Sequence, residues 1–276
     1  MVSPNSNDTP QILVPFLKWA GGKRWLLDSH ADVFPTGFNR YVEPFLGGGS
    51  VFFRIKPEAS MLSDINPRLI ECYVEIRDNW RAVYDILKRH QRKHNKDYYY
   101  EERSRKRRSS AEKAAQFIYL NRTCWNGLFR VNLSGVFNVP IGTKDTVLLD
   151  SDDFPAISDL LKKADVLCQD FEETIESCGH GDFLYIDPPY TVKHNFNGFV
   201  KYNENIFKWD DQIRLRDCVV SAIGRGARVM VSNADHESVR ALYEGIGRHI
   251  SLNRSSVIAG KADKRGTVNE LLVLSC

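Results

Sequence analysis

The chain has 276 residues, enough for one large domain or for one domain carrying an insertion. With 42% apolar and 26% charged residues it reads as soluble and globular, and no apolar run nears the ~20 residues of a membrane helix, so a helical membrane protein is excluded. The net charge of +3 is too small to announce a nucleic-acid binder by itself, and six scattered cysteines without a C-x-x-C pair or nearby histidines favour reduced thiols over a disulfide framework or a metal site.

Residues 1–11 are polar and rich in Ser, Asn and Pro, without the basic start and apolar middle of a secretory signal, so a loose tail on a cytosolic protein is expected. Within 12–77, strands are predicted at Arg40 to Glu43 and Ala59 to Ser63, and a helix from Pro67 through about Lys88. Gly21-Gly22-Lys23 invites a phosphate-loop reading, but the first glycine of that motif is absent and Arg24 stands where Ser or Thr would hold magnesium. Lys23 at the start of a helix instead suits an amino-acid carboxylate. Trp19 by itself reads as a core residue.

Phe45-Leu46-Gly47-Gly48-Gly49-Ser50 follows the first strand and opens a helix, with glycines that let the backbone turn tightly beside a ligand. The run is not G-x-G-x-x-G, which disfavours a nicotinamide cofactor. Asp64 ends the next strand 21 residues after Glu43, where doubly wound folds place an acid that bonds ribose hydroxyls. A sugar-bearing cofactor follows.

From 78 to 150 the sequence turns helical, basic and aromatic, with no clear strand before Gly135 to Val139, and is read as an inserted subdomain. Ser109 to Arg122 has an amphipathic helical period and leads into a polar loop, Asn121 to Asn132. Basic residues gather at Lys88 to Lys96 and Arg103 to Arg108, and the second run suits phosphate contact and a solvated face equally. In 151–276, strands are predicted near Asp165 to Cys168, Phe183 to Ile186, Ala227 to Ser232, His249 to Asn253 and Glu270 to Ser275, with helices near Asp210 to Ile223 and His236 to Tyr243. The two blocks make one interrupted α/β domain with a mostly parallel, doubly wound sheet covered by helices. His194 is expected on a loop that acts as a lid up to Tyr202, and Gly260 to Gly266 reads as a flexible clamp beside the catalytic cleft.

The most chemical signal is Asp187-Pro188-Pro189-Tyr190 at the end of the buried run Phe183 to Ile186. One carboxylate and one carbonyl at a sheet edge can accept the two hydrogens of an exocyclic amine, and an aromatic face can stack on the ring that carries it. The nitrogen lone pair is then free to attack an electrophile, which points to methylation of a nucleobase amino group.

Five blocks of sequence resemble the Dam-type adenine-N6 DNA methyltransferases, in the motif order that puts the cofactor region first. They are Phe16 to Lys23, Glu43 to Gly49, Asp64-Ile65-Asn66, Asp187 to Tyr190, and a recognition region of Leu120-Asn121-Arg122, Asn126-Gly127-Leu128 and Phe137 to Pro140. The resemblance implies a seven-stranded sheet with one antiparallel strand, an inserted DNA-recognition subdomain, S-adenosylmethionine as methyl donor with S-adenosylhomocysteine as product, and no metal. It assigns catalysis to Asp187, Pro188 and Tyr190, and donor contacts to Trp19, Lys23, Phe45, Gly48, Gly49, Asp64, Asp187 and, by a looser match, Asp170 and Phe171. DNA contacts fall to Lys18, Arg122, Trp125, Asn126, Leu128 and Arg130, with Arg130 suited to guanine and GATC as the expected target. Trp125 departs from the tyrosine or phenylalanine common in relatives. Double-stranded DNA is the implied partner, alongside a companion restriction endonuclease in some members, in a bacterial or phage-infected cytoplasm at the nucleoid. Two alternatives stay open: a cytosine-N4 or RNA amino-methyltransferase, and a DNA-binding protein of this fold without catalysis.

Overall fold

A computed structural model describes residues 12–132, 135–193, 207–255 and 267–275. The expected tail at 1–11, the lid from His194 to Tyr202 and the clamp from Gly260 to Gly266 lie outside the described residues. The chain forms two compact units, the first of Met1–Ala31, Gly47–Lys56 and Asn66–Ala164, the second of Asp32–Leu46, Pro57–Ile65 and Asp165–Cys276.

The first unit is helical: α1 (Arg24–Ser29), α2 (Ser50–Ile55), α3 (Pro67–Lys93), α4 (Lys96–Ser104), α5 (Ser110–Thr123) and α6 (Phe154–Leu161). The start of α3 is fixed by Asn66, whose side chain accepts from the Arg68 and Leu69 amides, and by Pro67 at the first helical position. The helix runs past the predicted Lys88 because His90 is buried and stacks on Tyr119 of α5 at 4.7 Å, giving that extra turn a tertiary partner. Asn79 interrupts it with a non-helical backbone (φ −142°, ψ 33°). Phe16, Phe53, Tyr73 and Phe154 form an aromatic core, with Phe16 edge-on to Tyr73 at 4.9 Å.

The second unit is built on a sheet of seven strands: β1 (Arg40–Glu43), β2 (Ser60–Asp64), β3 (Ala164–Cys168), β4 (Asp182–Ile186), β5 (Arg228–Ala234), β6 (Arg248–Ser255) and β7 (Thr267–Leu274). Their order is β3-β2-β1-β4-β5-β7-β6; β2, β1, β4 and β5 run parallel, and β7 runs against both of its neighbours. The fold is therefore the expected mostly parallel α/β sheet with one antiparallel strand. All five residues of β4 are buried, as a central parallel strand requires. Alternation sends Val42, Leu184, Ile186, Val229, Val231, Leu271 and Val273 to one face, where they pack with side chains of α7 (Phe171–Glu176), α8 (Trp209–Gly224) and α9 (Glu237–Leu242). The opposite parity carries Tyr41, Glu43, Phe183 and Tyr185, and Phe38 lies against Phe183 at 5.5 Å.

The predicted Gly135 to Val139 strand is not formed. Residues 131 and 137, and 124 and 141, meet instead in isolated antiparallel bridges. All five described cysteines are free thiols, and no helix among the described residues is long and apolar enough to cross a membrane.

Candidate active site

In the second unit, three parallel neighbours, β2, β1 and β4, end at Asp64, Glu43 and Ile186-Asp187. Carboxylates thus gather at the carboxyl edge of the sheet, where open α/β sheets bind ligands. Pro188 and Pro189 supply no amide hydrogen, so the ladder stops and the chain leaves the sheet at Asp187. Pro188 is buried, while Asp187 and Tyr190 are half-buried. The Tyr190 hydroxyl lies 3.1 Å from Ser232 Oγ of β5, which tethers the far end of the ring.

Behind this edge lie two phenols that the sequence reading missed. Tyr41 is fully buried and donates to Glu43 Oε2 at 2.8 Å; burial, and then the Glu43 charge, push its phenol well up. Tyr185 is pushed up as well, by burial and then by the Asp187 charge, and its hydroxyl has no hydrogen-bond partner among the described residues. Both stay protonated at neutral pH. The available signal was the alternation itself, since Tyr41 shares a strand face with Glu43, and Tyr185 with Asp187. Ile65, next to Asp64, was missed too. It is 65% exposed, an apolar side chain beside an acid that suits ribose, and so offers a surface for a flat ring.

Asp170 and Phe171 each have protein partners of their own. Asp170 caps α7 through the Glu172 amide and takes two bonds from Arg214, at 2.6 and 3.1 Å. Burial raises its carboxyl, but the Arg214 hydrogen bond and the capped amide outweigh that and leave it below the ordinary value. Phe171 is a core ring, stacked on Phe45 at 5.3 Å with the Arg214 guanidinium 4.1 Å from its centroid. From the protein side the pair fixes the start of α7. Phe45 belongs to the same aromatic group.

In the first unit, the glycine run and Trp19 fit against one another. Gly47 and Gly49 have left-handed backbones (φ +48° and +63°) that glycine adopts without strain. A Cβ on Gly47 would lie 2.7 Å from Trp19 Cδ1, and one on Gly48 would lie 3.0 Å from Trp19 Cβ. The backbone is thereby stripped of side chains along a strip walled by an indole, a cradle that fits the methionine end of the expected donor. Lys23, 3% exposed, caps α1 and donates from Nζ to the Gly21 carbonyl at 2.8 Å.

The residues expected to read DNA lie on a bridged loop after α5. Trp125 to Gly127 form a single tight turn in which Asn126 adopts φ +55°. The Trp125 amide donates to the Pro140 carbonyl at 2.9 Å, which leaves the indole 48% exposed and Asn126 exposed. Arg130 is exposed and held by Asn138 Oδ1 at 2.8 Å; Leu128 is half-buried. Lys18 is exposed, and burial of its stem, then the charge of Lys144, lower its ammonium from the ordinary lysine value.

Several arginines of the first unit are engaged by protein partners. Arg122 is 1% exposed; its guanidinium is paired with Asp152 at 2.6 and 2.7 Å and also bonds the Phe16 and Val147 carbonyls. Its donors are engaged inside the unit, so it ties α5 to the segment before Lys18 and does not present itself to a phosphate. The Arg103 to Arg108 run is mostly engaged too. Arg107 pairs with the fully buried Glu102, and Arg103, with Tyr99, bonds the Val139 carbonyl at 3.0 Å. Arg103 thus braces the bridged loop and Arg107 ties α4 to the first turn of α5 through Glu102 and Glu112, while Arg105, Lys106 and Arg108 are exposed.

Residues 19–257 match the family profile described as D12 class N6 adenine-specific DNA methyltransferase. The chain is 36% identical to the type II methyltransferase M1.LlaDCHI of Lactococcus lactis subsp. cremoris, over 95% of each protein. It is 35% identical to the type II methyltransferase M.MjaIII of Methanocaldococcus jannaschii, over 95% of this chain and 98% of that one. With the DNA adenine methylase of Escherichia coli the identity is 32%, over 94% of each. The chain belongs to the D12 class of N6 adenine-specific DNA methyltransferases.

Proposed function

We propose that this adenine-specific DNA methyltransferase moves the methyl group of S-adenosylmethionine to N6 of an adenine extruded from duplex DNA, within the sequence GATC. The observation that carries the reading is the end of β4, where Asp187, the Pro188 carbonyl and a ring tethered through Ser232 share one sheet edge. The Asp187 carboxylate and the Pro188 carbonyl accept the two N6 hydrogens, which turns the nitrogen lone pair away from the ring. Tyr190 stacks on the base, its own ring held at the hydroxyl end. When bound, the donor supplies an electrophilic methyl group on a sulfonium. In the first unit the proposed donor contacts are Trp19, Lys23, Gly48 and Gly49, with Lys23 for its carboxylate; in the second they are Phe45, Asp64, Asp187 and, by the looser match, Asp170 and Phe171, with Asp64 for its ribose hydroxyls.

Extruding the adenine costs a few kcal/mol. The exposed Trp125 and Asn126 take the place of the displaced base, Leu128 and Arg130 read neighbouring bases, and Lys18 approaches from the segment beside Trp19. On this reading 78–150 is the target-recognition subdomain, while 12–77 and 151–276 carry the chemistry. The type II methyltransferase names of two relatives support a companion restriction endonuclease, and such a pair works in the cytoplasm on nucleoid DNA.

The test is Asp187→Ala, followed by tritiated methyl transfer and by duplex binding. Transfer is expected to fall roughly 10²–10⁴-fold with duplex affinity held within about threefold. Transfer at the unmodified rate would remove Asp187 from the mechanism.

A further inference from the structure

We infer that Asn121 and Phe129 are positioning residues that couple occupancy of the donor site to reading of the DNA; this rests on the function proposed above. Asn121, on the last turn of α5, is 1% exposed. Its Oδ1 accepts the Lys18 amide hydrogen at 2.8 Å, and its Nδ2 donates to the Lys18 carbonyl at 2.8 Å and to the Gly127 carbonyl at 3.1 Å. Both amide hydrogens are thus used, one on the segment that leads into Trp19 and one on the turn that carries Trp125 and Asn126. Swapping the oxygen and nitrogen of this amide would set a donor against the Lys18 amide, so its orientation is fixed by the bonds themselves.

A second strut runs beside the first. The Phe129 ring, between Leu128 and Arg130 in sequence, stacks on Trp19 with centroids 5.8 Å apart and planes 18° from parallel. It also touches Phe117 of α5 at 5.1 Å and Phe137 across the bridged loop at 5.9 Å. Gly127 closes the join, because a Cβ there would come within 2.8 Å of Lys18 Cβ and Cδ. Trp19 therefore touches the glycine run on one side and the recognition loop on the other, while its neighbour Lys18 is fixed to the last turn of α5 by three hydrogen bonds and packs its stem against Gly127 of that loop. A displacement of Trp19 by the donor has to reach residues 127–130, and a displacement of that loop by DNA has to reach Trp19. Such coupling is reciprocal by thermodynamic necessity.

The experiment is calorimetric binding of S-adenosylhomocysteine with and without a saturating GATC duplex, and of that duplex with and without S-adenosylhomocysteine. In the unmodified enzyme each ligand is expected to tighten the other by the same factor, about tenfold. Asn121→Asp removes both Nδ2 donors, and Phe129→Leu removes the stacked ring. Each variant is expected to bind either ligand alone within about threefold of the unmodified enzyme while the coupling factor falls to about two or less. Phe129→Leu decides the matter alone if Asn121→Asp unfolds. Coupling that persists in the folded variants, or two ligands that bind the unmodified enzyme independently, overturns the inference and leaves the proposed function standing. Failure of the unmodified enzyme to bind either ligand overturns the proposed function, and the coupling with it.

Discussion

Arg122 and Asp152 meet in a doubly hydrogen-bonded pair, 2.6 and 2.7 Å long, with side chains only 1% and 7% exposed. Removing one partner from such a pair strands a charge that water cannot reach. Asp152→Ala is therefore expected to cost about 3–5 kcal/mol, read as a lower urea midpoint. Leu149 should loosen as well, since its amide also donates to Asp152. A midpoint within error of the unmodified protein would show that the guanidinium finds other partners.

Gly47→Ala should act on donor binding more than on folding. The left-handed backbone costs alanine about 1 kcal/mol. The new methyl group must also displace an indole carbon only 2.7 Å away. Calorimetry should record at least a roughly tenfold weaker Kd for S-adenosylhomocysteine, equivalent to about 1.4 kcal/mol. An unchanged Kd would separate Trp19 from the donor.

His90 sets a pH dependence for the first unit. Its pKa is lowered from 6.5 to about 4, first by burial and then by the charges of Arg107, Arg89, Lys93 and Arg105. One ring nitrogen lies 2.8 Å from the Tyr98 hydroxyl; the other is buried with no hydrogen-bond partner among the described residues, so a second N–H has nowhere to go. The folded-state pKa lies below the unfolded one. The stability tied to neutral His90 is thus fully present above pH 6.5 and is lost as pH falls from there through about 4. His90→Gln should flatten the urea midpoint against pH across that window, and a slope equal to that of the unmodified protein would assign the titration elsewhere.

Arg130 should carry specificity more than affinity. Arg130→Ala is expected to lose about 1–3 kcal/mol of discrimination at one guanine and to relax the choice at that position only. Asn138→Ala, which frees the guanidinium from its 2.8 Å anchor, should give a smaller loss of the same kind. Competition assays with singly substituted duplexes read both effects. Uniform weakening across all duplexes would instead mark a phosphate contact.

The parts of the fold that were legible in sequence are those whose cause is local. Strand β4 is a continuous apolar run stopped by prolines, and it was placed to within one residue. Pro67 likewise announced the start of α3. The end of α3 was not legible because it depends on His90 finding Tyr119 on another helix. α4 escaped because its tyrosines and glutamates show no apolar period; Tyr99 and Glu102 are buried by partners far along the chain. β6 and β7 reach beyond their apolar runs because they pair with each other as far as Ser255 and Thr267.

The same division holds for the site. Asp187 to Tyr190 suggest chemistry in the sequence because residue types and spacing suffice for that proposal, and the end of β4 carries them to the sheet edge. The partners of Arg122 and Asp170 could not be read there, because they lie 30 residues away at Asp152 and 44 away at Arg214. Both side chains are engaged within their own units, a fact of packing that no short motif encodes.

The most direct measurement is to incubate the enzyme with labelled S-adenosylmethionine and a library of random duplexes, then to identify the modified nucleosides by mass and map them by sequence. Label is predicted in N6-methyladenine alone, confined to GATC and absent with Asp187→Ala. Label in N4-methylcytosine, or none in any duplex under conditions where S-adenosylhomocysteine binds, would contradict it.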